Sequence, residues 1–276
     1  MIRACVIGWP ISHSRSPLIH GHWLKQHGID GAYEKKAVEP AHLREFLSDL
    51  SKAGYAGCNV TIPHKEAAFH CAKPDELAAR LGAANTFYLR DGTLHATSTD
   101  GEGFIASLKD DADGMDLKGK SVLVLGAGGA ARAIILALLD QGVERIDLAN
   151  RTPGRAIELS RQFGARIKPL SWEQVPQAME NQSLLVNTTS LGMHGQPPLE
   201  ISLDRLPSAA AVADIVYVPL NTPLLEQAAM RGHPTSGGLG MLLHQAVRGF
   251  ELWFGTRPQV TASLRALVEA DVRKTS

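Results

Sequence analysis

The stretch VLVLGAGGAARAI, residues 122–134, constrains the fold of this chain more than any other. An apolar run ends at Gly126, and Gly128 and Ala131 complete the spacing G-x-G-x-x-A directly before a helix-forming segment. The first glycine permits a tight turn, the second lets a pyrophosphate approach the backbone, and the small third residue lets helix and strand pack closely. The pattern predicts a β-α-β unit that binds a dinucleotide; the alternative is a glycine-rich turn that binds nothing. The residues expected to contact the phosphates are Gly126, Ala127, Gly128, Gly129 and Ala130.

The next strand predicts which dinucleotide binds. About 20 residues after the glycines, a protein that binds NAD places an acidic residue for the ribose 2′-hydroxyl. Here the chain reads LANRTPGRA, and the residues expected to contact the cofactor are Asn150, Arg151, Thr152 and Arg155. A carboxylate would repel a 2′-phosphate, whereas arginine offers it a charge-assisted fork. NADP(H) is therefore favoured over NAD(H), although Asp147 lies earlier in the same strand and the two arginines could simply be solvated.

Further strands and helices extend this unit. Apolar runs predict strands at residues 121–126, 145–150, 183–188 and 211–217, and helical segments lie at 129–141, 153–163 and 222–231. The first hundred residues also alternate strands with helices, at 2–8, 16–28, 32–38, 41–54, 55–62, 64–72 and 75–81, and then form a hairpin at 84–98 with its turn at Asp91-Gly92. A polar stretch at 110–120 is the candidate linker, and an apolar helix covers 239–255. This alternation predicts the α/β class.

Composition excludes several functions. The 276 residues carry 28 basic and 28 acidic side chains, so no net positive field is available to hold a nucleic acid or an anionic membrane. The three cysteines, Cys5, Cys58 and Cys71, are too few and too irregularly spaced for a disulfide framework, and no spacing indicates a metal site. The chain lacks a signal peptide and a run of about 20 apolar residues. We therefore expect a cytoplasmic protein with a small-molecule partner, no nucleic acid, no membrane and no metal.

Four other segments carry hydrogen-bonding side chains just after strand-like runs, where α/β sheets place ligand sites. They are SHSRSP at 12–17, NVTIPHK at 59–65, the region of Asn85 with STDG at 98–101, and Gln245 inside the apolar helix. Hydroxyls and amides both donate and accept hydrogen bonds, so such a set can hold a polyhydroxylated acid without a metal.

Taken in order, the motifs of the chain resemble those of the shikimate dehydrogenase family. The matching segments are GWPISHSRSP, NVTIPHKE, GAANT, STDG, VLGAGGAARA, NRT, NTTSLGM, DIVYVPL and GGLGMLLHQA. The resemblance implies two domains: an N-terminal α/β substrate domain of residues 1–101 completed by C-terminal helices from 238–276, and a Rossmann-like NADP-binding domain of residues 102–237. It also implies NADPH-dependent, reversible reduction of 3-dehydroshikimate to shikimate, a step toward chorismate and the aromatic amino acids.

The resemblance also assigns site residues. Lys65 and Asp100 match the catalytic pair of the family, although without the resemblance they would be a surface lysine and a turn aspartate. The residues implied to bind substrate are Ser14, Ser16, Thr61, Asn85, Tyr217 and Gln245, with the two serines at its carboxylate. The further residues implied at the cofactor are Thr188, Gly238 and Met241. The family includes monomers and homodimers, and both states remain open.

Three alternatives remain open at this level. The chain departs from the usual family motifs at Gly21, Ser98 and Ala131, and the first two leave open a bifunctional quinate/shikimate dehydrogenase. An enzyme for an aminoshikimate-type substrate is a more remote possibility. A non-catalytic NADP-binding regulatory module would keep the fold without the chemistry.

Overall fold

The structure is a computed structural model that describes residues 1–112 and 114–274. By its internal contacts the chain forms two compact units, one of residues 1–100 and 245–268, the other of residues 101–244 and those from 269 onward. The predicted linker at 110–120 belongs to the second unit rather than between units, because Met115 and the buried Leu117 pack into the core of that unit. Residue 113 of that stretch lies outside the described residues.

The first unit is built on a six-stranded mixed sheet with the order β2-β1-β3-β5-β6-β4. Its strands are β1 (Ile2–Gly8), β2 (Gly31–Ala37), β3 (Tyr55–Val60), β4 (Lys73–Pro74), β5 (Thr86–Arg90) and β6 (Thr93–Thr97). Its helices are α1 (Ser16–Gln26), α2 (Leu43–Ser48), α3 (Lys65–Phe69) and α4 (Glu76–Leu81). The predicted hairpin is confirmed, with Asp91 and Gly92 both at positive φ. The helix predicted at 41–54 is shorter, because the chain enters it through a 3₁₀ turn at Pro40–His42 and leaves it in turns before β3.

The C-terminal segment contributes aromatic side chains to the core of the first unit. Helix α10 (Gly238–Phe254) carries Trp253, whose indole Nε1 donates to the Phe87 carbonyl at 2.9 Å. A Cβ on Gly57 would lie 2.1 Å from that Nε1 atom, so only glycine admits the indole here. Trp23 of α1 donates to the Gln259 carbonyl at 3.0 Å, which ties the segment after α10 to this unit.

The second unit is a six-stranded, fully parallel sheet with the order β12-β11-β10-β7-β8-β9. Its strands are β7 (Ser121–Leu125), β8 (Arg145–Ala149), β9 (Ile167–Leu170), β10 (Leu184–Asn187), β11 (Ala211–Asp214) and β12 (Thr235–Gly237). The remaining helices are α5 (Asp100–Asp111), α6 (Gly129–Asp140), α7 (Pro153–Phe163), α8 (Val175–Ala178), α9 (Pro223–Met230) and α11 (Ala262–Arg273). This strand order is that of the Rossmann fold, and it reverses between β7 and β10.

Alternate side chains of each central strand enter two separate apolar cores. Val122 and Val124 of β7 pack on one side of the sheet, and Leu123 and Leu125 pack on the other. The central strands are therefore buried on both faces, which agrees with their continuous apolar runs. The strand predicted at 211–217 ends earlier, at Asp214, because the carboxylate of Asp214 accepts a hydrogen bond from the Val216 N–H and turns the chain out of the sheet.

Candidate active site

Lys65 and Asp100 form a partly buried ion pair in the first unit. Lys65 Nζ donates to Asp100 Oδ2 at 2.5 Å, and the two side chains are 22% and 6% exposed. Lys65 is the first residue of α3, which begins where His64 N–H bonds to the Thr61 carbonyl at 2.9 Å. Asp100 is the first residue of α5. A partly exposed lysine with a fixed carboxylate partner is suited to exchanging a proton with a bound ligand.

Asn85 links this pair to the predicted substrate residues. Its Nδ2 lies 2.8 Å from Asp100 Oδ1 and 3.1 Å from Gln245 Oε1, and its Oδ1 accepts from the Thr99 N–H at 2.9 Å. The structure therefore brings Lys65, Asp100, Asn85 and Gln245 together, although Asn85 and Gln245 are separated by 160 positions in the sequence. Lys65 and Gln245 in this group are partly exposed, whereas Asn85 and Asp100 are buried.

The two predicted carboxylate serines follow β1. Ser14 Oγ donates to Ser16 Oγ at 3.3 Å, and both side chains are half-buried. Ser16 starts α1, which has Pro17 in its first turn and no side-chain cap. Thr61 is likewise half-buried, and its N–H bonds to the Ile7 carbonyl at 3.0 Å, which holds the segment after β3 against the end of β1.

Hydrogen bonding extends from these serines to Asn85 through residues that sequence reasoning missed. The Tyr33 hydroxyl is hydrogen-bonded by the Ser16 side chain and donates to Asn59 Oδ1 at 2.5 Å. Asn59 Nδ2 in turn donates to the Asn85 carbonyl at 3.2 Å. Burial raises the pKa of Tyr33, so this hydroxyl stays protonated. Asn59 stands in the NVTIPHK segment and within β3, so a polar side chain in an otherwise apolar strand was the available signal. Tyr33 lies within β2 and offered none.

His20 packs on the ring of Tyr33. The two ring centroids are 4.0 Å apart, and desolvation lowers the pKa of His20 to about 3. His64, beside Lys65, is buried and bonds through Nε2 to the Val38 carbonyl at 2.8 Å, whereas His13 is exposed.

In the second unit, the glycine loop has the geometry that a pyrophosphate requires. Gly126 has φ +103°, and a Cβ there would lie 2.6 Å from Thr188 Oγ1. Gly128 and Gly129 are exposed, and a Cβ on either would meet no atom within 4 Å. Gly128 caps α6 without a side-chain hydrogen bond, so the first N–H groups of the helix remain available to an anion. The loop lies where the strand order reverses, which is the ligand position of such sheets.

Asn150 joins the glycine loop to the arginine segment. Its Oδ1 accepts from the Ala127 N–H at 3.1 Å, and its Nδ2 donates to the Thr152 carbonyl at 2.8 Å. Arg151 and Arg155 are both exposed beside it. Asp147 lies in the middle of β8 and accepts hydrogen bonds from Arg145 and Gln182, so its carboxylate is not at the end of the strand.

The remaining predicted residues lie after neighbouring strands of the same unit. Thr188 Oγ1 donates to the Leu125 carbonyl at 2.7 Å, which fixes the threonine against the end of β7. Gly238 begins α10, and a Cβ there would lie 2.1 Å from the Ile215 carbonyl oxygen. Met241 packs against an apolar core of the unit, and Tyr217 is half-buried after β11.

Among the described residues there is neither a cluster suited to a metal ion nor a helix suited to spanning a membrane. No group of three or more His, Cys, Asp or Glu side chains in residues 1–112 and 114–274 is placed to hold a metal ion. Within the same ranges, no helix combines the length and the apolar character needed to cross a bilayer.

The doubly wound parallel sheet, with its open glycine loop at the strand-order reversal and arginines after the next strand, defines a dinucleotide-binding protein of the Rossmann type. A family model described as "Shikimate dehydrogenase substrate binding domain" matches residues 6–87. "Shikimate / quinate 5-dehydrogenase" matches residues 109–194, and "Shikimate 5'-dehydrogenase C-terminal domain" matches residues 238–267. The chain belongs to the shikimate dehydrogenase family.

Individual relatives cover almost the whole chain. An NADP(+) shikimate dehydrogenase of Nitrobacter hamburgensis is 58% identical over 98% of this chain and 94% of the relative. The crystal structure of shikimate 5-dehydrogenase from Thermus thermophilus, in complex with NADP(H) and shikimate, is 36% identical and superposes with a TM-score of 0.86 over 100% of both chains. A quinate dehydrogenase from Corynebacterium glutamicum in complex with NAD has a TM-score of 0.90 at 27% identity, over 98% of this chain and 99% of that one.

Proposed function

We propose that this protein catalyses the reversible, NADP-dependent interconversion of 3-dehydroshikimate and shikimate, a step toward chorismate and the aromatic amino acids. The observation that carries the proposal is the partly buried Lys65–Asp100 pair, joined through Asn85 to Gln245 in the first unit. This group presents one cation and several hydrogen-bonding side chains, which is the chemistry that a ketone flanked by hydroxyls requires.

Substrate binding is assigned to hydroxyls and amides of the first unit, all half-buried except the buried Asn85. Ser14 and Ser16 donate to the carboxylate, and Thr61, Asn85 and Gln245 bond to the ring hydroxyls. The family resemblance also assigns Tyr217 to the substrate. A serine hydroxyl rotates freely, so each of the two serines can direct its proton to a carboxylate oxygen on binding.

Lys65 acts as the general acid in the direction of ketone reduction. The ammonium group donates a proton to the carbonyl oxygen as that oxygen gains negative charge, and the new C–H and O–H bonds convert the ketone to an alcohol. Asp100 holds the ammonium group in place through its 2.5 Å hydrogen bond. The amine of Lys65, which is 22% exposed, then regains a proton from solvent. In the oxidative direction the same amine accepts the proton. A positioned acid of this kind contributes about 10²–10⁴ in rate.

The second unit holds the dinucleotide, and its residues fit NADP(H). Bound NADPH supplies the hydride. The backbone of Gly128 and Gly129 receives the pyrophosphate, because the loop is open there and α6 has no side-chain cap. Gly126 makes the turn before them, and its N–H bonds to the Ala149 carbonyl at 2.8 Å. Arg151 and Arg155, exposed beside Thr152, bind the 2′-phosphate. Asn150 aligns the two segments through its bonds to Ala127 and Thr152. Thr188, Gly238 and Met241 line the remainder of the site.

The proposal also covers the location of the enzyme, its oligomeric state and its substrate preference. We place the enzyme in the cytoplasm, and it acts as a monomer or homodimer on a small molecule. Serines at both carboxylate positions favour shikimate over quinate, whose extra hydroxyl sits on the carbon that bears the carboxylate. A bifunctional quinate/shikimate dehydrogenase is the rival that the similarity to a quinate dehydrogenase keeps open.

Steady-state rates with shikimate and quinate, each paired with NADP⁺ and NAD⁺, test the proposal. We expect shikimate with NADP⁺ to have the highest kcat/KM of the four pairs. Lys65→Met should lower kcat by about 10²–10⁴ and leave the dissociation constant for NADP⁺ near its wild-type value, because the glycine loop and the arginine segment belong to the other unit. NADP⁺ binding by the wild-type protein without turnover of either acid would instead identify a regulatory module.

A further inference from the structure

The last paired residues of β10 and β11 are polar and completely enclosed. Asn187 and Asp214 are direct partners in the register of the two strands, and they are 0% and 2% exposed. Neither was predicted as a site residue, and no step of the reaction uses them. Burying an amide and a carboxyl group is costly unless each finds hydrogen-bond partners, so their partners indicate what they hold in place.

Asn187 folds the segment that follows β10. Its Nδ2 donates to Asp214 Oδ1 at 3.0 Å and to the Leu191 carbonyl at 3.2 Å. Its Oδ1 accepts from the Thr189 N–H at 3.0 Å and from Thr189 Oγ1 at 2.7 Å. Both atoms of the amide therefore have two partners each, and this fixes the conformation of residues 187–191.

Asp214 holds Asn187 and the segment after β11 at the same time. Its Oδ1 also accepts from the Val216 N–H at 3.0 Å, and its Oδ2 accepts from Thr222 Oγ1 at 2.7 Å. Thr222 is the cap of α9, where its hydroxyl accepts from the Leu225 N–H. All three donors to the carboxylate are uncharged, and desolvation raises its pKa to about 6.

The segment fixed by Asn187 places Thr188 and Thr189 directly against the glycine loop, and we call these two residues the Thr188–Thr189 wall. A Cβ on Gly126 would lie 2.6 Å from Thr188 Oγ1 and 3.0 Å from Thr189 Cγ2. Thr188 is also bonded to the end of β7 through its N–H and its hydroxyl. A shift of the threonines by a few tenths of an ångström would therefore move the loop that receives the pyrophosphate, and binding sites tolerate only about 0.5 Å of such displacement.

We propose that Asn187 and Asp214 are positioning residues of the dinucleotide site: they set the Thr188–Thr189 wall that holds the glycine loop in its binding conformation. The inference rests on the proposed function only for the identity of the dinucleotide. According to this inference, part of the affinity for NADP⁺ depends on a buried pair that does not contact the ligand.

Asp147 offers a matched control. It is also a buried aspartate of the second unit, is 2% exposed, and accepts through Oδ2 from Arg145 and Gln182. Its hydrogen bonds lead away from the glycine loop, toward Arg145 at the start of β8 and Gln182, two residues before β10. Replacement of Asp147 should cost stability as replacement of Asp214 does, and only replacement of Asp214 should change cofactor binding.

The test measures the dissociation constant of NADP⁺ by calorimetric titration, together with the free energy of unfolding. We expect Asp214→Ala to weaken NADP⁺ binding about tenfold or more, and Asp214→Asn to remain within about threefold of the wild type, because asparagine keeps one acceptor for Asn187 and Val216. Asp147→Ala should stay within about twofold. In a double-mutant cycle, the variant with both Asn187→Ala and Asp214→Ala should lose no more NADP⁺ affinity than the weaker-binding single variant. The reason is that both substitutions release the same Thr188–Thr189 wall.

Wild-type affinity in Asp214→Ala, or an equal loss in Asp147→Ala, would overturn the inference. If Asp214→Ala does not fold, Asn187→Ala is tested in its place. It should also bind NADP⁺ about tenfold more weakly, and wild-type affinity would overturn the inference. Failure of the wild-type protein to bind NADP⁺ would refute the proposed cofactor instead. Binding of NADP⁺ without turnover would refute only the proposed reaction, and the binding titrations of the variants would still test the inference.

Discussion

The substitution Asp100→Asn removes the negative charge of Asp100 and keeps the shape of its side chain. Asp100 Oδ2 accepts from Lys65 Nζ at 2.5 Å, and Asp100 Oδ1 accepts from Asn85 Nδ2 at 2.8 Å. Both neighbours are donors. An asparagine must direct its own NH₂ group at one of them, so no rotamer of the variant restores both hydrogen bonds.

The magnitude follows from the bond that is lost. A hydrogen bond between charged groups contributes about 1.5–3 kcal/mol net, and each 1.36 kcal/mol is a factor of ten in rate, which gives about 10- to 150-fold for the contact with Lys65 alone. Loss of the second contact and of proton donation from a correctly held ammonium group adds to this. We therefore expect kcat/KM for shikimate to fall by about 10²–10⁴.

The assay is the initial rate of NADPH formation from shikimate, followed at the nicotinamide absorbance band, with NADP⁺ affinity measured in parallel. Asp49→Asn is the control, because Asp49 also pairs with a lysine, Lys52, at 2.7 Å but at the surface. Exposed pairs contribute about 0–1 kcal/mol, so that variant should retain wild-type kinetics. A variant Asp100→Asn with wild-type kcat/KM, or an equal loss in Asp49→Asn, would refute the role given to Asp100.

Three further predictions concern cofactor choice, stability against pH and core packing. Arg151→Glu should raise the KM for NADP⁺ far more than that for NAD⁺, because a carboxylate repels the 2′-phosphate; equal losses would contradict the assignment. Burial raises the pKa of Asp214 from 3.8 to about 6, so its protonated form stabilises the fold below about pH 4 and that contribution disappears as the pH rises through 6. In urea titrations, the unfolding free energy of the wild type relative to Asp214→Asn should therefore fall by up to about 3 kcal/mol between pH 4 and 7, and a flat difference would refute this. Gly57→Ala should destabilise the protein by at least about 1–3 kcal/mol, since its Cβ would lie 2.1 Å from Trp253 Nε1. Gly21→Ala in α1, where a Cβ meets nothing within 4 Å, should stabilise the helix by about 0.5–1 kcal/mol, and thermal unfolding of both variants checks the contrast.

Sequence reasoning succeeded where local chemistry decides the structure. The glycine loop at Gly126, the hairpin turn at Asp91 and the buried strands of the second unit follow from backbone freedom and apolar runs, which neighbouring residues alone specify. Two edge strands of the same sheet were missed. β9 contains Pro169, which disfavours a strand except at an edge, and β12 has only three residues.

The site was less accessible to such reasoning because its hydrogen bonds depend on register between distant elements. Asn85 and Gln245 are 160 positions apart, and the link from Tyr33 to Asn59 crosses from β2 to β3 through a side chain inside a strand. The sequence indicated Asn85 and Gln245 as ligand residues, but it could not show that their side chains are in contact. The pairing of Asn187 with Asp214 requires knowledge of which strands are adjacent, which no local pattern contains.

A single absorbance measurement tests the proposed reaction most directly. Purified protein mixed with shikimate and NADP⁺ should produce NADPH at a rate proportional to enzyme concentration, and the same mixture made with Lys65→Met should produce almost none. No rise in nicotinamide absorbance with the wild-type protein, while NADP⁺ binding is retained, would contradict the proposal that this chain interconverts shikimate and 3-dehydroshikimate.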